Sequence, residues 1–403
     1  MIAQLFIILL VPAYVLGQVA RVQFGQGVAV TLLDITVILF VILSIIHLFA
    51  RRRLGEMRRV RMLKPAAIFV GACILSLLIN SVRLSQFEFG VAGLYLLRFI
   101  CYVSTVVFIA NFSLAQKKRI VKMMGLSMIA AVGIGFMQYF YYPNLRNLYY
   151  LEWDDHLYRM FSVYLDPNFA GVLFACLFLL LSGYVLDEFK KQKRNTFFLS
   201  ALSFLTLLAV FLTYSRSGFI ALATGTAVFL LLKGYRKLLI GLLVLFGMMV
   251  FLTADTGVEG LNPFRTVSTN ARLESMRIAV AIFQKNPVFG VGFNAYRYAQ
   301  HEYGFRPDDK WQTSHADAGT DNSFLFVLAT TGSIGFMCYL YFWYAFMRNA
   351  YIYSGRGRQT FPVIVISTGS AVLTASLFLN TVFYPFILLW VLSLYGVMEK
   401  KSP

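Results

Sequence analysis

The sequence predicts an all-α polytopic membrane protein of about twelve transmembrane helices with one large extracytoplasmic loop, and three observations predict it. Of its 403 residues, 59% are hydrophobic and only 13% charged, a surplus of apolar side chains that one aqueous core cannot bury. Mean hydropathy is +0.70, and apolar stretches recur at the ~20-residue length that crosses a ~30 Å hydrocarbon layer as helix. No sustained alternation of apolar and polar residues marks barrel strands, which leaves helices to satisfy the backbone in lipid.

In chain order the spans fall near residues 2–16, 28–50, 65–80, 93–113, 123–142, 168–186, 196–213, 218–232, 238–253, 322–347, 361–380 and 384–397. The first resembles a signal peptide but lacks a basic leading region and a small-x-small cleavage site, so it reads as a retained span. Alternate connections carry basic clusters: Arg51 to Arg53 with Arg58, Arg59, Arg61 and Lys64; Lys117 to Arg119; Lys190, Lys191, Lys193 and Arg194; Lys233, Arg236 and Lys237; Arg348, Arg356 and Arg358; Lys400 and Lys401. The positive-inside rule assigns all of them, and both termini, to the cytoplasm of a bacterial inner membrane. With no repeat or linker, residues 1–403 read as one membrane domain.

The formal charge of +18 is thus mostly topogenic, and no basic stripe with interleaved aromatics points to nucleic acid. Cys73, Cys101, Cys176 and Cys338 all lie in apolar segments without C-x-x-C spacing, against disulfide, zinc or redox roles. Asp34 and Arg98 fall inside spans, where each is costly alone, and are expected to pair. Trp153, Trp311, Tyr149 and Tyr150 read as an interfacial aromatic belt. Basic residues outside the membrane are mostly arginines, among them Arg21, Arg83, Arg146, Arg159, Arg216, Arg265, Arg272, Arg277, Arg297 and Arg306, with Lys285 and Lys310. A guanidinium fork binds phosphate oxygens bidentately and tolerates desolvation, so an external phosphate-bearing ligand is expected. The loop from Ala254 to Asp321 contains a helical pattern from Asn270 to Phe283, ahead of Asn286-Pro287, with Glu274 and Arg277 on its exposed side.

Four segments across residues 163–335 carry a resemblance. They are Val163 to Gly171 with Asp166-Pro167-Asn168; Thr213-Tyr214-Ser215-Arg216-Ser217-Gly218; Arg272 followed by Asn286-Pro287-Val288-Phe289-Gly290-Val291-Gly292; and Asp321-Asn322-Ser323 with Gly332 and Gly335. In order, they resemble the O-antigen ligase superfamily, which includes the Wzy-type polysaccharide polymerases. The last segment is similar to the ligases' His-Asn followed by Gly-x-x-Gly, with Asp in place of His.

The resemblance implies an inverting, metal-independent glycosyltransferase without cofactor. Its donor would be an undecaprenyl-diphosphate-linked oligosaccharide, and its acceptor a glycan on a lipid carrier or on lipid A core, with a chain-length regulator as a further candidate partner. Arg216 and Arg272 are expected to grip the diphosphate and Asp321 to act as base, a role that needs desolvation or a carboxylate neighbour such as Asp317. Arg159, Arg277, Asn168, Asn322 and His315 are expected to contact substrate. Each has a plainer reading: Arg216 as a headgroup anchor, Arg272 as a surface residue, Asp321 as a helix cap, Asp166-Pro167-Asn168 as a helix start, and His156, His301 and His315 as loop residues. Asp at position 321 favours a polymerase over a ligase. A transporter with the same span number is the rival from another class, although its charges would be expected near the midplane.

Overall fold

The computed structural model describes residues 2–25, 28–50, 60–151, 155–190, 195–241, 266–306 and 318–399. Outside the described residues lie most of the expected span at 238–253, the loop segments 254–265 and 307–317 with His315 and Asp317, Trp153, and the basic positions within 51–59, 191–194 and 400–401. The elements run α1 (Ile2–Leu16), β1 (Arg21–Gly25), β2 (Val28–Thr31), α2 (Leu32–Ala50), α3 (Leu63–Ile79), α4 (Gln86–Ala110), α5 (Leu114–Tyr141), α6 (Pro167–Lys190), α7 (Thr196–Leu212), α8 (Arg216–Lys233), α9 (Thr266–Lys285), α10 (Tyr296–Glu302), α11 (Ser323–Tyr353), α12 (Thr360–Ala375) and α13 (Pro385–Met398). Among the described residues, eight helices are long and apolar enough to cross a membrane. The shorter apolar helices α7, α12 and α13 stand where three further spans were expected. Phe197, Phe198 and Phe204 of α7 are among many large apolar side chains left exposed, as lipid-facing surfaces require.

Helix ends depart from the hydropathy estimate where polar residues extend them. A capping box starts α4 at Gln86 rather than near 93: the Ser85 hydroxyl accepts from the Glu88 N–H, and the Glu88 carboxylate accepts from the Ser85 N–H. Residues 21–25 and 28–31, the latter assigned to a span, instead form two antiparallel strands pairing Arg21 with Thr31 and Val22 with Val30.

Contacts divide the chain into two compact units. The first comprises Met1–Met124, Arg272–Asn349 and Ser376–Pro403. In it α13 packs along α4, α2 on both α1 and α4, and α3 on α4. Aromatics fill this core, with Tyr14, Phe69, Tyr102, Tyr339, Trp390 and Tyr395 fully buried. The expected tie between Asp34 and Arg98 forms, with Arg98 Nε 2.7 Å from Asp34 Oδ1.

The same unit contains a broken helix. At Gly332, φ 66 and ψ −170 interrupt α11, and the turn Pro287 to Gly292 fills the break. Val291 and Gly292 donate N–H bonds to the Ala329 and Thr330 carbonyls at 3.1 and 3.0 Å, while Ser333 and Ile334 donate to Pro287 and Val288 at 2.9 and 3.3 Å. Ser76 Oγ donates to the Phe289 and Thr330 carbonyls, and Asn80 Nδ2 to Gly290. Backbone groups released by the break are thereby paired inside protein, the condition for non-helical chain at membrane depth. The Gly-rich turn and the Gly332-x-x-Gly335 pattern, distant in sequence, are two sides of one joint.

The second unit comprises Gly125–Ala271 and Ala350–Ala375. There α6 packs against α7, α8 and α12, and α8 against α12. Small residues set these approaches: a Cβ on Gly225 would meet Leu179 Cδ1 at 2.5 Å and Ala371 Cβ at 3.1 Å. Gly225→Val is expected to cost about 1–3 kcal/mol by overpacking, read as a lower thermal midpoint in detergent. An unchanged midpoint would show that α6, α8 and α12 do not pack this closely.

Candidate functional site

In the second unit, the site is the turn from Thr213 to Arg216. Helix α7 ends at Leu212, Tyr214 takes φ 47, a left-handed conformation unusual for a non-glycine residue, and α8 starts at Arg216. Such a conformation persists where its surroundings over-determine it, and several bonds do so here. Arg159 Nε donates to the Thr213 carbonyl at 2.9 Å, and its Nη2 to the Tyr214 carbonyl and Asn168 Oδ1 at 3.3 and 3.2 Å. Ser215 caps α8, its hydroxyl accepting from the Gly218 N–H at 3.1 Å and donating to Asn168 Oδ1 at 3.3 Å. Gly171 and Gly218 let α6 and α8 meet backbone to backbone, since a Cβ on Gly218 would lie 3.0 Å from the Gly171 Cα.

These bonds fix Arg216 at the first position of an 18-residue helix. There its charge adds to the partial positive charge of the helix N-terminus, an arrangement suited to phosphate. Arg159 and Asn168, expected to contact substrate, each hold the turn. Asp166 starts α6, its Oδ1 accepting from the Asn168 N–H at 2.6 Å, which agrees with the helix-start reading of Asp166-Pro167-Asn168.

Sequence reasoning missed the support beneath Arg159. Gln138 is buried near the end of α5. Its Oε1 accepts from the Phe161 and Ser162 N–H groups at 2.9 and 3.1 Å, and its Nε2 donates to the Tyr142 and Arg159 carbonyls. A glutamine in an apolar span was the available signal, because a polar group there must find partners.

In the first unit, α9 extends well beyond the expected helix and carries Arg272 on its partly buried side. One turn on, on that same face, Ser275 Oγ donates to Thr320 Oγ1 at 3.0 Å and accepts from the Asp321 N–H at 3.3 Å. The Asp321 backbone is thus tied to the face of α9 that carries Arg272. Arg277 lies on another face of α9, exposed and 3.6 Å from Glu274, as the sequence suggested.

The cap of α11 is Asn322, one residue beyond Asp321, for which a cap was the plainer reading. Asn322 Oδ1 accepts from the Phe324 and Leu325 N–H groups at 2.9 and 3.0 Å, and its Nδ2 donates to the Leu377 carbonyl at 3.0 Å. Ser323 Oγ donates to Asn380 Oδ1 at 2.9 Å, and its N–H to the Ser376 carbonyl. Capping of α11 therefore rests on Asn322. Asn322→Ala is expected to lower stability by about 1 kcal/mol. Asp321→Asn is expected to cut turnover by roughly 10²–10⁴ with donor binding unchanged. Turnover by Asp321→Asn equal to wild type would remove it from the chemistry.

Comparison with known families bears on both units. Residues 201–340 match the family model described as O-antigen ligase. This segment includes Arg216, Arg272, Asp321, Asn322 and the Gly332 break. No curated protein matches the chain.

Proposed function

We propose that this chain, whose residues 201–340 match the family model described as O-antigen ligase, moves an undecaprenyl-diphosphate-linked oligosaccharide onto an acceptor glycan on the outer face of the inner membrane. The observation that carries the reading is the braced Arg216 turn. A side chain needed only as a headgroup anchor does not require Arg159, Asn168 and Ser215 to hold its backbone in one conformation.

In the transfer, an acceptor hydroxyl oxygen attacks the anomeric carbon as the bond from that carbon to the diphosphate breaks. The bond electrons go to the diphosphate oxygen, and the hydroxyl proton goes to Asp321. Attack opposite the leaving group inverts the anomeric centre. Negative charge grows on the diphosphate in the transition state, and guanidinium groups fixed beforehand stabilise it without reorganising. A charge pair at ~4 Å gains ~4 kcal/mol at an effective dielectric near 20, so a single guanidinium such as that of Arg216 supplies a useful part of the barrier reduction.

Polymerisation of O-antigen, capsule or exopolysaccharide repeat units is the first reading, supported by Asp321 standing where the resembled ligases carry histidine. Ligation of finished polymer to lipid A core is the second, favoured by the description of the matched family. Gene deletion followed by electrophoresis of surface glycans separates them. Loss of long chains with single repeat units retained means polymerase; intact polymer stranded on carrier lipid means ligase. Unchanged surface glycans would refute both.

A further inference from the structure

Residues 155–165, ahead of α6 in the second unit, take a left-handed backbone at four positions: His156, Tyr158, Ser162 and Leu165, with φ of 44, 51, 52 and 57. That conformation is costly for most residues other than glycine and persists where its surroundings offset the strain. Burial does so for two of the four. Ser162 is buried, its N–H donating to Gln138 Oε1 at 3.1 Å and its hydroxyl to the Ala131 carbonyl at 2.6 Å. Leu165 packs in a buried cluster with Leu145 and Phe161.

Tyr158 gains no such burial, for its side chain is 70% exposed. Its N–H donates to the Pro143 carbonyl at 2.8 Å, and the Leu145 N–H donates to the Asp155 carbonyl at 2.8 Å, so this stretch of chain is fastened to the segment that follows α5. Glycine would take the same backbone with less strain. A large ring is instead held there, burying little of itself in the fold.

Two further tyrosines lie close by. Arg159, the next residue, donates to the Thr213 and Tyr214 carbonyls, and the Tyr214 side chain hydrogen-bonds that of Tyr139, near the end of α5. Tyr139 and Tyr214 are both half-buried, and Tyr214 precedes Arg216 by two residues. Three tyrosines from three separate segments thus flank the turn that carries Arg216.

An interfacial belt does not account for this group. Belt aromatics stand at the ends of spans, as Phe140 and Tyr141 do here, 71% and 86% exposed. Tyr158 lies outside the helices, and its strained backbone is held by bonds that a belt residue does not need. Tyrosine offers an apolar ring face with a hydroxyl at its edge. A pyranose offers the complement, a face of C–H groups bordered by hydroxyls.

We infer that Tyr158, Tyr139 and Tyr214 form a glycan subsite that takes the sugar rings nearest the diphosphate of the lipid-linked donor. The inference rests on the reading of Arg216 as the diphosphate grip.

The full chain in lipid nanodiscs is titrated with two probes: the lipid-linked oligosaccharide extracted from membranes of the cells that make the protein, and undecaprenyl diphosphate, which carries no sugar. Tyr158→Gly suits the left-handed backbone, so its thermal midpoint is expected at or above that of the wild type. It should raise the Kd of the oligosaccharide by roughly fivefold to tenfold and leave that of undecaprenyl diphosphate unchanged. Tyr158→Phe keeps the ring and should bind the oligosaccharide within about twofold of the wild type. Tyr139→Phe removes the bond to Tyr214 and keeps both rings, which gives a second reading should Tyr158→Gly not fold. Its expected loss is smaller, about threefold, and again confined to the oligosaccharide. Unchanged oligosaccharide affinity in the folded variants would overturn the subsite, and so would equal weakening of both probes, the mark of an interfacial anchor. Failure of the underlying grip looks different: Arg216→Ala would then bind undecaprenyl diphosphate as the wild type does, while a sugar-selective loss in Tyr158→Gly would still mark a glycan subsite.

Discussion

Arg216→Ala is expected to reduce transfer by roughly 10²–10³ at unchanged levels of folded protein, the loss typical when one prepositioned donor to a developing oxyanion is removed. Arg216 begins α8, and the bonds that shape its turn come from Arg159, Asn168 and the Ser215 hydroxyl. Truncating its side chain removes charge while the bonds from Arg159, Asn168 and Ser215 to the turn remain. Arg216→Lys retains the charge without the planar fork and should recover only part of the rate. Arg159→Ala should act differently, because it frees the Thr213 and Tyr214 carbonyls and lets the turn relax. Purified protein in lipid nanodiscs, given a lipid-linked donor, separates these effects. If Arg216→Ala turns over at the wild-type rate, Arg216 is a headgroup anchor and the proposed grip is wrong.

The largest expected effect on folding is that of Gly332→Ala. Gly332 holds φ 66 with ψ −170, and an added Cβ would overlap the Val288 carbonyl, which is backbone and cannot swing aside. Strain at the dihedral and overpacking each cost about 1–3 kcal/mol, so the pair costs about 2–6 kcal/mol. Gly290→Ala should behave alike, since at φ +67 its Cβ would lie 2.5 Å from the Thr330 carbonyl oxygen. Both changes open the joint that closes the break in α11, and the freed backbone groups then lack partners in a region poor in water. A loss of monodisperse protein and a lowered thermal midpoint are the expected readouts. A wild-type midpoint for Gly332→Ala would mean that the helix runs unbroken through this position.

The eight long apolar helices were legible in the sequence because a long apolar run in lipid has few alternatives to a helix. The Asp34–Arg98 tie was legible for a related reason, as two opposite charges inside a bundle are far cheaper together than apart. Arg216 was singled out by its neighbours in the motif, and Arg272 by its place at the head of the family-like loop helix. What stayed hidden depended on contacts between distant segments. Nothing local to Pro287–Gly292 indicates that its partner is the break at Gly332. Asp and Asn are similarly good caps, so neighbouring Asp321 and Asn322 could not be told apart by composition. Arg159 resembled the other external arginines, and only the fold distinguishes an arginine that binds backbone carbonyls from one available to a ligand. The strand pair β1 and β2 was missed because strands of five and four residues are too short to show an alternation.

The central claim is that the chain expels a polyprenyl diphosphate as it transfers a glycan, and one measurement addresses it directly. Purified protein in nanodiscs is supplied with a labelled polyprenyl-diphosphate oligosaccharide and an acceptor, and both products are quantified over time. The account predicts equimolar release of polyprenyl diphosphate and formation of the extended glycan, with inversion at the anomeric carbon. Glycan extension without release of the diphosphate lipid, or with retention at that carbon, would contradict it.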